Sequence, residues 1–412
     1  MTGDVGLAEE SLRYNIRPLT RRAPDQLGRA LAALAGPGGA DALDGGAELA
    51  ALAVEGLDAG RSRALRRALE TEGGRALSDA ADLRAVLIGP PASLAAAARR
   101  LAGEGATTED LGGALSAVLA PERPRQPLRC GERLLELGAS TLIMGVVNAT
   151  PDSFSGDGIG GDVDAAVALA ERLVEEGADL IDVGGESTRP GSAPVDGPTE
   201  LHRVMPVIEA LVGRLGVPIS IDTRKAEVAR AAIAGGATVV NDIWGLRGDP
   251  AMAAVLAANP AVALVAMHNR RGYGNGDLLA EVARDLRESL LVAARHGIGA
   301  GRIVLDPGFG FGKTPAQNLE LLQRWDELGG IGRPLLLGAS RKSTIGLLLG
   351  GAPPAQRVEG TLALCVIAVA AGAEMVRVHD VAAMCRGLRV ADAVLRGIPE
   401  AVRRAPAPGA TG

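Results

Sequence analysis

Aromatic side chains are nearly missing from this chain: three Phe, two Tyr and two Trp serve 412 residues. Since 47% of residues are hydrophobic, the core has to be built from Ala, Val, Leu and Ile. Lysine is scarcer still, for among 43 basic residues only Lys225, Lys313 and Lys342 are lysines. Arg has taken nearly every ordinary surface position. A Lys that survives that bias is a stronger functional candidate, because a compact ammonium and a planar guanidinium are not interchangeable in a fitted site. Three cysteines, Cys130, Cys365 and Cys385, are odd in number and far apart, without metal-ligand spacing. They read as free thiols in a reducing compartment. No apolar run approaches the roughly 20 residues of a membrane span, and the first residues have neither a basic nor an apolar leader region. The expectation is a soluble cytoplasmic protein. A net charge of −6 with no basic stripe argues against a nucleic-acid surface.

What is present is order. A chain of 412 residues predicts roughly two domains. Residues 1–120 are rich in Ala, Arg, Leu and Gly, with helical patterns at 24–34, 47–52 and 61–69. A short strand at 85–88, a turn at 89–91 and a helix at 93–102 complete a small α/β unit. Its Arg pairs read as solvated helix faces, and nothing in it clusters catalytic residue types. Three prolines within 121–127 mark a linker. The tail, 399–412, is expected to be disordered.

From residue 128 to 398 short apolar runs alternate with longer helical ones. Candidate strands are 142–147, 180–183, 219–221, 238–240, 262–266, 303–305, 335–337 and 375–378, with helices such as 163–176, 200–215, 278–296 and 357–371 between them. Eight strand–helix units over about 270 residues predict a (β/α)8 TIM barrel, preceded by the small α/β N-terminal domain. A doubly wound open sheet is the alternative.

Nearly every strand ends in a polar residue, and in a barrel those ends face one mouth. Asp222, Asn241, Asp306 and Lys342 supply mixed donors and acceptors suited to the edge of a flat, amide-bearing heterocycle. Arg377 and His379 alternate along one strand, so both face the same side and form a cationic grip for a phosphate or diphosphate. The neutral oxygen of Asn148 suits Mg²⁺, which keeps several waters and takes few protein ligands. Asp242 taken alone reads as a helix cap. The run Gly308-Phe309-Gly310-Phe311-Gly312-Lys313-Thr314 ends like a Walker A loop but is one residue short, and the four histidines fit no zinc pattern.

Seven phrases then point one way: NATPDSFSGDG (148–158), DVGGESTRPGS (182–192), ISIDTRKAEVA (219–229), VVNDIWG (239–245), DPGFGFGKT (306–314), SRKSTIG (340–346) and RVHDV (377–381). In content and order they resemble the signatures of the dihydropteroate synthase family, in a subgroup with an N-terminal extension. The resemblance implies condensation of 6-hydroxymethyl-7,8-dihydropterin diphosphate with p-aminobenzoate. It implies that Asp222, Asn241, Asp306 and Lys342 hold the pterin and that Asn148, Arg377 and His379 hold the diphosphate with Mg²⁺. Phe154, Thr188, Arg189, Pro190 and Ser343 fall on the p-aminobenzoate side, where the family is inhibited by sulfonamides. The catalytic set is then Asn148, Asp157, Lys342, Arg377 and His379. One departure concerns the first loop, which in the family usually reads SFSDGG. Here Gly156 stands where the Asp is expected, and Asp157, one place later, is expected to substitute for it. Family members are commonly homodimers through late barrel helices, and the small-residue run 360–371 permits close helix packing, although such a run is as often plain packing on the barrel exterior. Two alternatives share the resemblance: a non-catalytic pterin-binding homologue, and a pterin-dependent methyltransferase of the same barrel family. The diphosphate grip of Arg377 and His379 has no use in the second.

Overall fold

The computed structural model describes residues 11–19, 49–79, 81, 83–105, 107–120, 125–150, 162–187, 194–270, 272–273 and 276–403. The chain divides into two compact units. One comprises Met1–Pro124, Arg224–Ala226 and Asn241–Leu335; the other comprises Arg125–Thr223, Glu227–Val240 and Leu336–Gly412.

The N-terminal part of the first unit is a four-stranded antiparallel sheet in the order β1-β2-β4-β3, made of β1 (Arg17–Pro18), β2 (Ala50–Glu55), β3 (Arg75–Ser78) and β4 (Arg84–Gly89). Helices α1 (Ala59–Thr71), α2 (Pro91–Gly103) and α3 (Glu109–Leu119) accompany it. Alternation along β2 decides its two faces. Leu52 and Val54 join Tyr14, Leu65, Leu87 and Leu101 in one apolar cluster, whereas Ala51 and Ala53 join Leu19, Val86 and Ile88 in another. Here the expected helix at 47–52 is corrected over 49–52, residues 47 and 48 lying outside the described residues. The Ala-rich stretch has helical composition, but pairing in register with β4 (Leu52↔Leu87, Val54↔Ala85) and burial on both faces outweigh local propensity. The expected turn at 89–91 is instead a helix start, with Pro90 at the cap and Pro91 in the first turn, where its missing N–H costs nothing. The predicted helix at 24–34 and residues 121–124 of the predicted linker lie outside the described residues.

After a hairpin of β5 (Leu128–Cys130) and β6 (Arg133–Leu135) come the eight strands read from the sequence: β7 (Leu142–Asn148), β8 (Leu180–Gly184), β9 (Ile219–Asp222), β10 (Val239–Asp242), β11 (Ala263–Met267), β12 (Ile303–Asp306), β13 (Leu336–Leu337) and β14 (Met375–Val378). They form one sheet in the order β12-β11-β10-β9-β8-β7-β14-β13. An isolated parallel bridge, Leu305↔Leu335, brings β12 to the residue before β13, so the sheet is a nearly closed barrel of the expected (β/α)8 class. The helices are α4 (Val163–Glu175), α5 (Gly197–Leu211), α6 (Ala226–Ala234), α7 (Met252–Ala257), α8 (Leu278–Arg295), α9 (Pro315–Gln323), α10 (Ser343–Leu348), α11 (Val358–Ala370), α12 (Val381–Leu395) and α13 (Glu400–Arg403). Strands β7, β8, β11 and β12 are buried almost throughout, as parallel strands covered by helices should be.

Candidate active site

In the second unit the strand register lines up the ends of three neighbours. Asn148 pairs with Gly184, and Gly184 with Asp222, so an Asn and an Asp flank a position without a side chain. A Cβ on Gly184 would stand 3.8 Å from Asn148 Oδ1 and 3.7 Å from Asp222 Oδ2, which makes this glycine the floor of a notch between two acceptors. Arg377, from β14, spans the same ends. Its Nε donates to Asp182 Oδ2 at 2.6 Å and its Nη2 to Asp222 Oδ2 at 2.8 Å. Two carboxylates thus fix the plane of one guanidinium, and one of them, Asp182, is fully buried. His379, two residues on, has its Nδ1 2.9 Å from Ser340 Oγ, and its backbone N–H donates to the same hydroxyl oxygen.

The segment before α10 is bent by Arg341, which takes a left-handed φ of 56°. Three partners hold that conformation: its guanidinium pairs with Asp380 (Nε to Oδ2, 2.8 Å), its carbonyl accepts from Arg357 Nη1 at 2.8 Å, and its N–H donates to Thr361 Oγ1 at 3.1 Å. Lys342 follows as the half-buried cap residue of α10, with Ser343 exposed in its first turn.

The first unit carries the remaining strand ends. Asn241 and Asp306 are buried at the ends of β10 and β12. Asp306 Oδ1 accepts from the Gly308 N–H at 2.7 Å, a tight turn that fixes the carboxylate, and its carbonyl accepts from the His268 N–H at 2.8 Å. Lys313 folds back over that turn, donating to the Gly308 carbonyl at 2.9 Å and meeting His268 Nδ1 at 3.2 Å. His268 is fully buried, and burial brings its pKa down to about 4 against the opposing pull of Asp285. A neutral ring that accepts from Lys313 at Nδ1 carries its proton on Nε2, which faces Asp285 Oδ2 at 3.2 Å. Asp242 accepts from the N–H groups of Trp244 and Leu246 and so shapes the turn after β10, as a capping residue would; burial raises its pKa.

Three contributors stand outside the set of residues assigned from the sequence: Asp182, Ser340 and Asp285. A charged residue inside the apolar run of β8 is a signal for the first. The other two act through His379 and through His268, relations that no spacing displays. Phe154, Asp157, Thr188, Arg189 and Pro190 lie outside the described residues.

A family model described as pterin binding enzyme matches residues 144–379. Over 255 residues the chain is 46% identical to a dihydropteroate synthase of Bacillus subtilis, a match covering 62% of this chain and 89% of that protein. The chain belongs to the dihydropteroate synthase family. Among solved structures it is similar to Xanthomonas albilineans dihydropteroate synthase with 4-aminobenzoic acid (TM-score 0.61, 43% identity, 68% of this chain and 100% of that one). It is also similar to the Yersinia pestis dihydropteroate synthase with a sulfonamide drug complex (TM-score 0.62, 39% identity, 65% and 98%). The segment matched by the family model contains every site candidate from Asn148 to His379 and leaves residues 1–143 outside it.

Proposed function

We propose that the chain condenses 6-hydroxymethyl-7,8-dihydropterin diphosphate with p-aminobenzoate, releasing 7,8-dihydropteroate and diphosphate. The observation that carries this reading is the Arg377 guanidinium, clasped by Asp182 and Asp222 at the strand ends beside Asn148. In the reaction the arylamine nitrogen attacks the exocyclic methylene, the carbon–oxygen bond to diphosphate breaks, and the amine loses a proton. Positive charge developing on the methylene spreads into the electron-rich pterin. Catalysis therefore needs a held ring and a neutralised leaving group more than a strong base. Asp306, Asn241, Asp222 and Lys342 are assigned to the ring. Asp306 suits its amino-pyrimidinone edge because the Gly308 N–H presets the carboxylate. Arg377, His379 and Asn148 are assigned to the diphosphate, with Ser340 orienting the imidazole. Phe154, Thr188, Arg189, Pro190 and Ser343 are assigned to p-aminobenzoate, and Asp157 to the loop carboxylate.

The Asn148 amide fits a Mg²⁺ that comes with the diphosphate and keeps most of its water; a protein-held cage is a different matter, and the described residues contain no group of three or more His, Cys, Asp or Glu placed to form one. Such an ion would supply charge neutralisation on the leaving diphosphate. The three free, buried cysteines suit the reducing cytoplasm. Among the described residues no helix is long and apolar enough to cross a membrane.

A homodimer is also proposed. Leu347, Leu348, Ile367, Val390 and Val394, on α10, α11 and α12, are 48–78% exposed, apolar side chains of the kind an interface covers. The activity is tested by incubating the protein with pterin diphosphate, p-aminobenzoate and Mg²⁺. Diphosphate release coupled to dihydropteroate formation is expected; pterin binding without release would overturn the catalytic reading in favour of a binding homologue.

A further inference from the structure

The N-terminal segment 14–18 is held by α8 and the 3₁₀ turn at Trp325–Ile331, all within the first unit. Tyr14, Asn15, Ile16 and Arg17 are buried. Arg287 of α8 donates to the carbonyls of Tyr14 (Nε, 3.1 Å) and Ile16. Asn15 Nδ2 donates to the Ala280 carbonyl at 2.9 Å. Arg17 pairs with Asp277 (Nη2 to Oδ2, 2.7 Å) and with Glu327, and Arg324 pairs with the same two carboxylates. Asp277 is the residue that caps α8, accepting from the Leu279 N–H at 3.0 Å.

The same helix connects to Asp306 through its Asp285. Asp285 faces His268, His268 meets Lys313, Lys313 holds the Gly308 carbonyl, and the Gly308 N–H holds the Asp306 carboxylate, with no step longer than 3.2 Å. Arg270, on the loop between β11 and α8, is tied to Glu281 of α8 at 2.9 Å. A helix whose start is clamped by Arg17 thus sets the position of the groups that fix Asp306.

We infer that the N-terminal extension braces the pterin pocket, with Arg17 and Lys313 as positioning residues for Asp306 acting through α8 and His268. The inference rests on the assignment of Asp306 to the pterin. It gives the segment outside the matched family region a part in substrate binding, in place of a role as a passive appendage. Elements this closely packed move as one, so a shift at the start of α8 is passed to Asp285 and onward.

The full-length chain carries the test, with Arg17→Ala, Arg17→Lys, Lys313→Met and the Arg17→Ala/Lys313→Met double variant. Titration with pterin diphosphate should show about a tenfold loss of affinity for Arg17→Ala, an intermediate loss for Arg17→Lys, and an unchanged KM for p-aminobenzoate. The double variant should lose less than the product of the single losses, since both act on one carboxylate. Amide exchange across 306–313 should quicken in Arg17→Ala. A folded Arg17→Ala chain with unchanged pterin affinity and exchange overturns the inference, as do independent, multiplicative losses. Should Arg17→Ala not fold, Arg17→Lys with the exchange measurement decides the same question. Asp306→Asn separates the two readings: unaltered pterin binding there refutes the site assignment, whereas exchange at 306–313 still reports on the brace without any ligand.

Discussion

Arg341 and Lys342 are adjacent cations with different work. The guanidinium of Arg341 is committed to Asp380, and its left-handed backbone turns the chain so that Lys342 follows in extended conformation. Under the proposed assignment, Lys342→Ala weakens pterin binding by about 1.5–3 kcal/mol with little change in unfolding free energy, checked by calorimetric titration beside a denaturant curve. The double exchange Arg341→Lys/Lys342→Arg should lose both functions, since the fork needed by Asp380 and the point charge needed beside the substrate are then misplaced. Lysine scarcity singled out Lys225, Lys342 and Lys313, the last of which proves to be buried against the Asp306 turn. It did not reveal that His268 is its partner. His268 makes a pH statement. Its folded pKa of about 4 lies below the ordinary 6.5, so the stability it contributes is fully present above pH 6.5 and is lost as pH falls toward 4. That loss amounts to about 3 kcal/mol, and His268→Gln should flatten the dependence of unfolding free energy on pH over that window. An unchanged slope would refute this assignment.

At the scale of elements, the barrel strands were readable because buried parallel strands are continuous apolar runs that stop at a polar residue. Most prove to reach one residue beyond the apolar run, so that Asn148, Asp222 and Asp306 belong to the strands themselves. Strand β2 reads as a helix for the opposite reason: Ala carries helical propensity, and the pairing that overrides it comes from residues more than 30 positions away. The clamp on α8 was not readable at all, since Arg17 and Asp277 are separated by 260 positions. Burial acts to raise the Asp277 carboxyl, but Arg17 and Arg324 outweigh it and bring it down to about 2. Its contribution is therefore present above about pH 4 and lost as pH falls toward 2. Asp277→Ala, which removes the cap and leaves Arg17 and Arg324 to share Glu327 alone, should cost about 3–5 kcal/mol in a urea unfolding curve. Asp277→Asn keeps the cap oxygen and should cost less.

For the whole molecule, Gly360, the one glycine of the small-residue run 360–371, and Gly387 on α12 serve packing inside one protomer. A Cβ at Gly360 would meet Ile345 at 2.4 Å, and one at Gly387 of α12 would meet Leu362 at 2.5 Å. Leu347, Leu348, Ile367, Val390 and Val394, which remain exposed, are not among the atoms those positions meet. Ile367→Glu and Leu348→Glu should shift the proposed dimer to monomer in sedimentation equilibrium while preserving the fold of each protomer. The thiols of Cys130 and Cys365, both pushed up to about 12 by burial, should resist a thiol reagent until the chain unfolds. The barrel itself closes through the single bridge between Leu305 and Leu335, beside β13, which at two residues is the shortest of its eight strands. Two paired residues leave this strand few ladder bonds to hold it, and amide exchange at 335–337 is expected to outpace that along β7 and β8, where the ladder is longer.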